Sequence, residues 1–202
     1  MTTDHGLNVS RETLERLEAF VKLVEKWTVK INLISKASIP HIWDRHIRDS
    51  VQIFDIAPAC AHWLDLGSGG GFPGIVVAII AVEQSPDTKF TLVESDQRKS
   101  AFLRGAIREL SLNGVVRSER IEALAPQNAD VISARALSDL DALMGFASRH
   151  MAPTGTAIFP KGENWQKEHA AAQERWSYRC EAITSITNPA AAVLRIEDIR
   201  RV

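Results

Sequence analysis

Residues 63–74 read Trp63-Leu64-Asp65-Leu66-Gly67-Ser68-Gly69-Gly70-Gly71-Phe72-Pro73-Gly74, and this stretch decides the fold. An apolar run carries an acid near its end, opens into a glycine-rich turn and is followed by an apolar segment of helical length. Five glycines within eight positions let the backbone bend sharply and approach a ligand closely. In an α/β sheet such a turn lies at the carboxyl end of a strand, where cofactors bind. The stretch therefore predicts a strand, a cofactor-binding turn and a helix.

Apolar segments of strand and helix length alternate after this turn. The candidate strands are 63–66, 89–94, 115–121, 129–134 and 156–159, and the candidate helices are 74–83, 97–112, 138–151 and 163–175. Two further strand-like runs, 178–186 and 191–199, follow with no helix between them and predict an antiparallel hairpin. The pattern predicts an α/β fold: a doubly wound, mostly parallel seven-stranded sheet with an antiparallel C-terminal hairpin.

Two amphipathic helices precede the sheet. Ser10 is a predicted N-cap for a helix that runs to about residue 30, since apolar residues recur at helical spacing behind it. A second helical segment covers roughly 39–56. We expect residues 1–60 to form a helical extension and residues 61–202 to form the sheet domain, the two packing as one compact unit.

Composition excludes several classes of protein. The chain has 202 residues, of which 45% are hydrophobic and 24% charged, with a formal net charge of −1. No apolar run is long enough to span a bilayer and the first twenty residues do not resemble a signal peptide, so we expect a cytoplasmic protein without a membrane anchor. Cys60 and Cys180 lie far apart and without metal-ligand spacing, so neither a disulfide framework nor a metal site is expected.

The glycine turn is compatible with two cofactors. Gly69, Gly71 and Gly74 satisfy the GxGxxG pattern of dinucleotide-binding proteins. Gly67, Gly69 and Gly71 satisfy GxGxG, the pattern of S-adenosylmethionine (AdoMet) enzymes. Pro73 interrupts the dinucleotide register and suits the first position of a helix, which favours AdoMet. Asp65 can hold the turn or, through water, contact the amino-acid end of the cofactor.

The ends of the next two strands carry acids. Glu94 closes the second strand, where a carboxylate can accept both hydroxyls of a ribose, a group that NAD and AdoMet share. Ser95 and Asp96 follow it, and either of them could instead cap the next helix. Ile121 and Glu122 are predicted to end the third strand, at a point that commonly flanks an adenine ring in this fold.

Arg135 follows the fourth predicted strand and is the candidate catalytic residue. A cation at that position is costly inside a sheet and useful at the edge of a site, although pairing with a surface acid would also explain it. No Asn-Pro-Pro-Tyr-like tetrad follows the strand, and neither cysteine lies at a strand end. These absences favour a methyl acceptor with a free lone pair, for which positioning and electrostatics supply most of the rate.

Several motifs together resemble one family over about residues 20–200. They are Lys26-Trp27, Ile31-Asn32-Leu33, Arg45-His46-Ile47-Arg48-Asp49-Ser50, the glycine turn through Gly-Phe-Pro-Gly, Phe102-Leu103-Arg104, Ser133-Ala134-Arg135-Ala136 and Lys161-Gly162. The chain resembles the RsmG (GidB) family of bacterial small-subunit ribosomal RNA methyltransferases. The resemblance implies the Rossmann-like AdoMet-dependent methyltransferase fold. It also implies methyl transfer from AdoMet to N7 of one guanine in 16S ribosomal RNA (rRNA methylation), giving 7-methylguanosine and S-adenosylhomocysteine.

Together with the motifs, the resemblance gives a set of expected site residues. Those expected to bind AdoMet are Asp65, Gly67, Ser68, Gly69, Gly71, Phe72, Glu94, Ser95, Asp96, Ile121, Glu122 and Arg135, and Arg135 is also expected beside the target base. The basic residues that form the candidate RNA-binding surface are Lys22, Lys26, Lys30, Arg45, Arg48, Arg98, Lys99, Arg104 and Lys161. The near-neutral charge suits an enzyme that recognises a small-subunit particle by shape and protein as well as by phosphate contacts. We expect a monomer.

Two other functions remain open at this point. A small-molecule AdoMet methyltransferase would share the cofactor site and use the N-terminal helices as a lid. An NAD-dependent dehydrogenase is kept open by Gly69, Gly71 and Gly74, although the chain has no evident Tyr-Lys pair for hydride transfer, since its single tyrosine is Tyr178, in the tail.

Overall fold

A seven-stranded sheet forms the centre of the computed structural model, which describes residues 6–202. The strands are β1 (His62–Leu66), β2 (Lys89–Val93), β3 (Gly114–Arg117), β4 (Ala129–Ala134), β5 (Met151–Lys161), β6 (Trp176–Thr184) and β7 (Ala192–Arg201). Their order across the sheet is β3-β2-β1-β4-β5-β7-β6. Strands β1 to β5 pair in parallel, whereas β7 runs antiparallel to both β5 and β6. The predicted doubly wound sheet and its C-terminal hairpin are confirmed.

Six α-helices accompany the sheet in the part of the chain that the structure describes. They are α1 (Arg11–Ile31), α2 (Asp49–Ile56), α3 (Gly74–Gln84), α4 (Gln97–Glu109), α5 (Leu140–His150) and α6 (Trp165–Gln173). The side chain of Ser10 accepts a hydrogen bond from the Thr13 N–H at 3.0 Å, so Ser10 is the N-cap of α1 as predicted. Within residues 6–202, none of the helices combines the length and the apolar character needed to cross a membrane.

The second N-terminal helix differs from its prediction, because it is divided into three pieces. A 3-10 helix (Lys36–His41) contains Pro40, a π-helical turn (Trp43–Arg48) follows it, and α2 completes the segment. Proline has no N–H to donate, so a regular α-helical ladder cannot run through Pro40. The π-helical turn carries the Arg-His-x-x-Asp motif into α2 and sets the direction in which its side chains project.

Two apolar layers cover the two faces of the sheet. Alternate residues of one strand point to opposite faces, so Trp63 packs in the layer that contains α1 to α4, whereas Leu64 packs in the layer that contains α5. Phe20 of α1 is fully buried in the first layer together with Ile75 of α3. The N-terminal helices therefore contribute directly to the core of the sheet domain.

Two strand boundaries differ from prediction by more than two residues. β3 ends at Arg117, so Ile121 and Glu122 lie in a turn beyond the strand and not at its end. β5 begins at Met151, five residues earlier than predicted, because Pro153 and Gly155 within it resemble a loop in the sequence. The pairing of β5 with β4 is irregular near Ala129, where the register shifts. Residues 152–155 lie in the bulge between the paired residues Met151 and Thr156, so the turn-like sequence interrupts the pairing with β4 without ending the strand.

Candidate active site

The order in which strands are added to the sheet reverses between β1 and β4, which lie side by side. From β1 the chain builds outward through β2 and β3, and from β4 it builds outward through β5 on the other side. The loop 67–73 after β1 and the loop 135–139 after β4 therefore meet at the carboxyl edge of the sheet. In open α/β sheets this junction is where ligands bind.

The backbone of the glycine turn distinguishes the two glycine patterns. Gly67, Gly69 and Gly71 have positive φ angles of 65°, 52° and 88°, which are the three positions of GxGxG. A Cβ atom on Gly71 would lie 2.9 Å from Cζ of Phe20, so a side chain is excluded there by contact as well as by conformation. Gly74, the last glycine of the dinucleotide pattern, is the first residue of α3. Pro73 is the N-cap of α3, whereas it was predicted to be the first residue of the helix.

Asp65 supports this turn from below. Its carboxylate is 1% exposed, and its Oδ1 accepts a hydrogen bond from the Ser133 hydroxyl at 2.7 Å. A Cβ atom on Gly74 would lie 2.5 Å from the other carboxylate oxygen, so Asp65 packs directly against the start of α3. Burial raises the pKa of Asp65 to about 6, although the hydroxyls of Ser133 and Ser68 oppose that rise. Of the two roles predicted for Asp65, these contacts perform the structural one.

Glu94 connects the turn to the end of β2. Its Oε2 accepts a hydrogen bond from the Gly69 N–H at 2.9 Å and its Oε1 accepts one from the Asp96 N–H at 2.7 Å. Asp96 caps α4, since its Oδ1 accepts from the N–H groups of Arg98 and Lys99 at 2.8 and 3.1 Å. These backbone hydrogen bonds, that of Lys99 first, lower the pKa of Asp96. The helix-cap alternative therefore describes Asp96, whereas Glu94 faces the site.

A cavity of about 280 Å³ opens beside the turn. Five of the residues expected to bind a cofactor line it: Gly67, Glu94, Ser95, Ile121 and Glu122. Its remaining lining comes from residues that the sequence reasoning missed: Val93, Glu119, Arg120, Leu137, Ser138 and Phe146. The buried His150 holds the far wall in place, because its Nε2 lies 3.0 Å from the carbonyl oxygen of Ile121. Phe146 and His150 share one face of α5, and nothing in the sequence pattern distinguishes them from ordinary core residues.

The other expected cofactor residues lie beneath this cavity or outside it. Ser68 is buried, and its hydroxyl donates to the carbonyl oxygen of Asp65 at 3.1 Å. Phe72 is buried too, with its ring 5.3 Å from that of Phe20. Asp65, Ser68, Gly69, Gly71, Phe72, Asp96 and Arg135 are not among the residues that line the 280 Å³ cavity, and their expected contacts with the cofactor stay predictions.

Arg135 is held by contacts from three directions. Its Nη2 lies 2.9 Å from Nδ1 of His46, and its Nη1 lies 3.2 Å from the carbonyl oxygen of Arg45. Nη1 also lies 3.4 Å from the carboxylate of Asp49, and the guanidinium carbon lies 5.2 Å from the centre of the Phe72 ring. The side chain is only 16% exposed. Arg135 is thus paired with an acid, and its site faces the N-terminal helical segment and not open solvent.

His46 is the residue that fixes this arginine. Its ring stacks on Phe72 with the ring centres 4.9 Å apart. Burial lowers the pKa of His46 to about 4, and the charges of Arg135 and Arg45 add to this effect. His46 is therefore neutral near pH 7, and its Nδ1 accepts the hydrogen bond from Arg135 while its proton stays on Nε2.

A larger cavity of about 750 Å³ lies on the other side of the loop after β4. Arg135 and Ala136 line this cavity, whereas the next two residues, Leu137 and Ser138, line the smaller one. Ala136, between them, has a φ angle of 51°, a conformation that is uncommon for a residue other than glycine. Residues 135–138 therefore form the wall between the two cavities, with 135 and 136 lining the larger cavity and 137 and 138 lining the smaller one.

The walls of the large cavity come from distant parts of the chain. The π-helical turn and α2 provide Asp44, Arg45, Arg48 and Asp49, and the turn between β6 and β7 provides the segment 185–188. Thr187 of that turn donates to Oδ1 of Asp49 at 3.0 Å. This contribution of the C-terminal hairpin was not predicted, because residues 185–191 show no motif.

The predicted RNA-binding residues fall into two groups. Lys22, Lys26 and Lys30 on α1, and Arg98 and Arg104 on α4, are exposed, with Lys99 partly buried. The two helices pack together through Trp27 and Phe102, whose ring centres are 5.8 Å apart. Arg45 and Arg48 lie instead at the large cavity.

Lys161, which is predicted to contact RNA, is paired with an acid in the structure. Its ammonium lies 2.5 Å from the carboxylate of Glu168 and donates to the carbonyl oxygen of Ser138 at 2.9 Å. The side chain is 9% exposed. Lys161 therefore stabilises the loop after β4, and its charge is already neutralised.

Within residues 6–202 no three His, Cys, Asp or Glu residues group as metal ligands.

Comparisons with known proteins agree with this geometry. The family model GidB, described as rRNA small subunit methyltransferase G, matches residues 13–192. A protein of Ruegeria sp. (strain TM1040) named ribosomal RNA small subunit methyltransferase G is 58% identical, over 97% of this chain and 96% of its own length.

Solved structures share the fold at low sequence identity. An O-methyltransferase from Bacillus cereus in complex with SAH has a TM-score of 0.59 at 17% identity, covering 89% of this chain and 90% of its own. The 16S rRNA methylase RmtB has a TM-score of 0.54 at 14% identity, covering 95% of this chain and 76% of its own. Both likenesses concern the arrangement of the strands and helices.

The lowered pKa of His46 predicts a pH dependence of stability. Unfolded histidine titrates near 6.5, and folded His46 titrates near 4, so the unfolded chain binds more protons between these values. Wild-type protein should therefore lose stability relative to His46→Gln as the pH falls from about 6.5 to about 4. Urea unfolding of both proteins across this range measures the difference. All other titrating groups, including Asp65, are present in both proteins, so their contributions cancel when the two free energies of unfolding are subtracted. A difference that stays constant with pH would contradict the neutral assignment.

Proposed function

We propose that this chain, which belongs to the rRNA small subunit methyltransferase G (GidB) family, transfers a methyl group from AdoMet to N7 of a guanine in 16S rRNA. The observation that carries the proposal is the pair of cavities that share residues 135–138 as a wall. One cavity has the shape and acids for a nucleoside, and the other has room for a base. A transfer between two ligands needs both sites at one junction.

The smaller cavity fits the nucleoside part of AdoMet. A Cβ atom on Gly67 would lie 2.6 Å from a methyl of Leu137, so only glycine leaves this entrance open. Each oxygen of Glu94 accepts one backbone N–H and retains a lone pair that can accept a ribose hydroxyl. Ile121 and Glu122 would flank the adenine. When bound, AdoMet supplies an electrophilic methyl group on a sulfonium ion.

Arg135 is the residue proposed to hold the target base. A guanidinium has five N–H bonds, and the described contacts of Arg135 occupy three of them, so two remain for a ligand. A donor on O6 of guanine would orient the neighbouring N7 towards the shared wall. Methylation leaves a positive charge on the guanine ring, and the carboxylate of Asp49, next to Arg135, partly offsets the combined charge.

The positions of the cysteines support N7 over a ring carbon as the acceptor. Methylation at a pyrimidine ring carbon needs a nucleophile that first attacks the ring. Cys60 precedes β1, at the opposite edge of the sheet, and Cys180 lies within β6. Burial raises the pKa of Cys60 to about 11 and also raises that of Cys180, so neither thiol is activated. The lone pair at N7 lies at the major-groove edge of guanine and needs no such activation.

The proposed partner is 16S rRNA within a small-subunit particle, bound by a monomer. The exposed lysines of α1 and the arginines of α4 project from two helices that pack against each other, and they would contact phosphates. Three of the four cations that line the large cavity, Arg48, Arg135 and Lys161, are paired with acids, so shape and base contacts would dominate there, with the exposed Arg45 left to meet a phosphate.

The proposed reaction is tested by mapping modified nucleotides. Small-subunit rRNA from cells with and without this gene is digested and analysed by mass spectrometry. We expect one 7-methylguanosine to be absent when the gene is deleted and restored when it is returned. Unchanged modification of the rRNA would overturn the proposal, and methylation of a metabolite alone would favour the small-molecule alternative.

Substitution of Arg135 tests its placement at the base. Arg135→Ala should lower kcat on small subunits by about 100-fold while the Kd for AdoMet changes by less than about threefold. Arg48→Ala is the matched control, since Arg48 lines the same cavity and pairs with the exposed Asp44. We expect that control to act mainly on KM. If Arg135→Ala retained normal turnover and lost only AdoMet affinity, Arg135 would be a cofactor residue.

Charge neutralisation tests the basic surface of α1. In Lys26→Gln/Lys30→Gln, two phosphate contacts would be lost, so the plot of log affinity against log salt should become shallower by about 1 to 2 units. Lys89→Gln/Lys167→Gln removes two exposed lysines elsewhere and should leave the slope unchanged. Equal slopes in the two double variants would place the RNA on another surface.

A further inference from the structure

Asp49 has one oxygen that is fully used within the protein and one that is not. Its Oδ1 accepts hydrogen bonds from Nε2 of Gln52 at 2.9 Å and from the hydroxyl of Thr187 at 3.0 Å. These two donors come from α2 and from the turn between β6 and β7, so the carboxylate is fixed from two elements. Its Oδ2 has the 3.4 Å contact with Arg135 and otherwise retains a lone pair. The side chain is 18% exposed and lines the 750 Å³ cavity.

Asp49 and Arg135 form a weak, single-contact ion pair. A strong carboxylate–guanidinium pair is bidentate, with distances of about 2.7–2.9 Å. Here a single contact of 3.4 Å joins the two groups, and Arg135 directs other N–H bonds to His46 and to the carbonyl oxygen of Arg45. The cavity wall therefore presents a donor, Arg135, beside an acceptor, Asp49, and each side chain is fixed by other hydrogen bonds within the protein.

This arrangement is complementary to one edge of guanine. O6 of guanine is an acceptor, and the adjacent N1–H is a donor, whereas adenine presents the reverse pattern at the same two positions. We infer that Asp49 reads the N1–H of the target guanine while Arg135 donates to its O6, so that this pair selects guanine over adenine. The inference rests on the proposed function and adds a specificity residue to it.

The proposed contact discriminates against adenine and agrees with the low net charge of the Asp49–Arg135 pair. An adenine in the same pose would set its amino group against the guanidinium and its N1 lone pair against the carboxylate, and sites built on hydrogen bonds discriminate strongly against such mismatches. The paired charges also give this wall little net charge, which suits a neutral base. The 2-amino group of guanine has no partner in this scheme, because Oδ1 is already occupied by Gln52 and Thr187.

Two guanosine analogues test the inference at the nucleotide identified by mapping. Small subunits are reconstituted from ligated rRNA that carries guanosine, inosine or 1-methylguanosine at that position, and single-turnover rates of N7 methylation are measured. Inosine lacks only the 2-amino group, so wild-type enzyme should methylate it within about threefold of guanosine. In 1-methylguanosine a methyl group replaces the N1 proton, so its rate should be lower by at least about 30-fold.

Asp49→Ala supplies the decisive comparison, because it removes the acceptor and makes room for the added methyl. The ratio of guanosine to 1-methylguanosine rates should fall to less than about fivefold in this variant. Asp44→Ala, at a mostly exposed acid of the same cavity, should keep the wild-type ratio. The ratio is taken within each variant, so a general loss of stability or activity does not affect it.

The outcomes separate this inference from the proposed function. An unchanged ratio in Asp49→Ala, or a ratio that falls equally in Asp44→Ala, would overturn the role of Asp49 while N7 methylation of guanosine stands. A large loss of rate on inosine would assign recognition to the 2-amino group and also overturn it. If wild-type enzyme methylates none of the three particles at N7, both the inference and the proposed function are wrong.

Discussion

The buried hydrogen-bond chain from Trp63 through Ser133 to Asp65 is the interaction on which the rest of the structure depends. Trp63 Nε1 donates to the Ser133 hydroxyl at 2.9 Å, and that hydroxyl donates to Asp65 at 2.7 Å. The chain joins β1 to β4 where the sheet changes direction, directly beneath the loops that form both cavities. An ionised carboxylate with 1% exposure is costly, as its raised pKa shows. Its position beside the first turn of α3 recovers part of that cost, since helix N-termini favour negative charge.

A second group of contacts transmits this fixed geometry to the large cavity. Phe72 follows the glycine turn, stacks on His46 and lies under the guanidinium of Arg135. His46 can accept from Arg135 only while it is neutral, and its lowered pKa keeps it so. The glycine turn therefore contributes to both cavities: its Gly67 lines the smaller cavity, and its Phe72 supports Arg135 at the larger one.

The sequence predicted the sheet and the turn well because both are encoded locally. Periodicity located the strands, and the positive φ angles fall on the three glycines of GxGxG. Contacts between distant segments could not be predicted from local sequence patterns. Asp49 and Arg135 are 86 positions apart, and Thr187 is a further contact from the C-terminal turn. No local pattern could show that Lys161 is neutralised by Glu168, or that Asp96 caps a helix while Glu94 faces the cavity. β3 was misjudged because the apolar Ile121 continues the pattern of a strand that has already ended at Arg117.

The distribution of charge follows from the same division of the site. A net charge of −1 is compatible with an RNA partner because the cations lie in two different environments. Arg48, Arg135 and Lys161 at the large cavity each pair with an acid, so their charges are largely compensated locally, and the exposed Arg45 is the cation of this cavity that forms no ion pair among the described residues. The exposed lysines of α1 lie on a helix whose other face is part of the core. On the proposed function, phosphate attraction belongs to the outer helices, while the cavity recognises an uncharged base by the direction of its hydrogen bonds. A cavity in which all four of these cations were unpaired would instead bind phosphate groups of any sequence and would oppose the positive charge that N7 methylation creates.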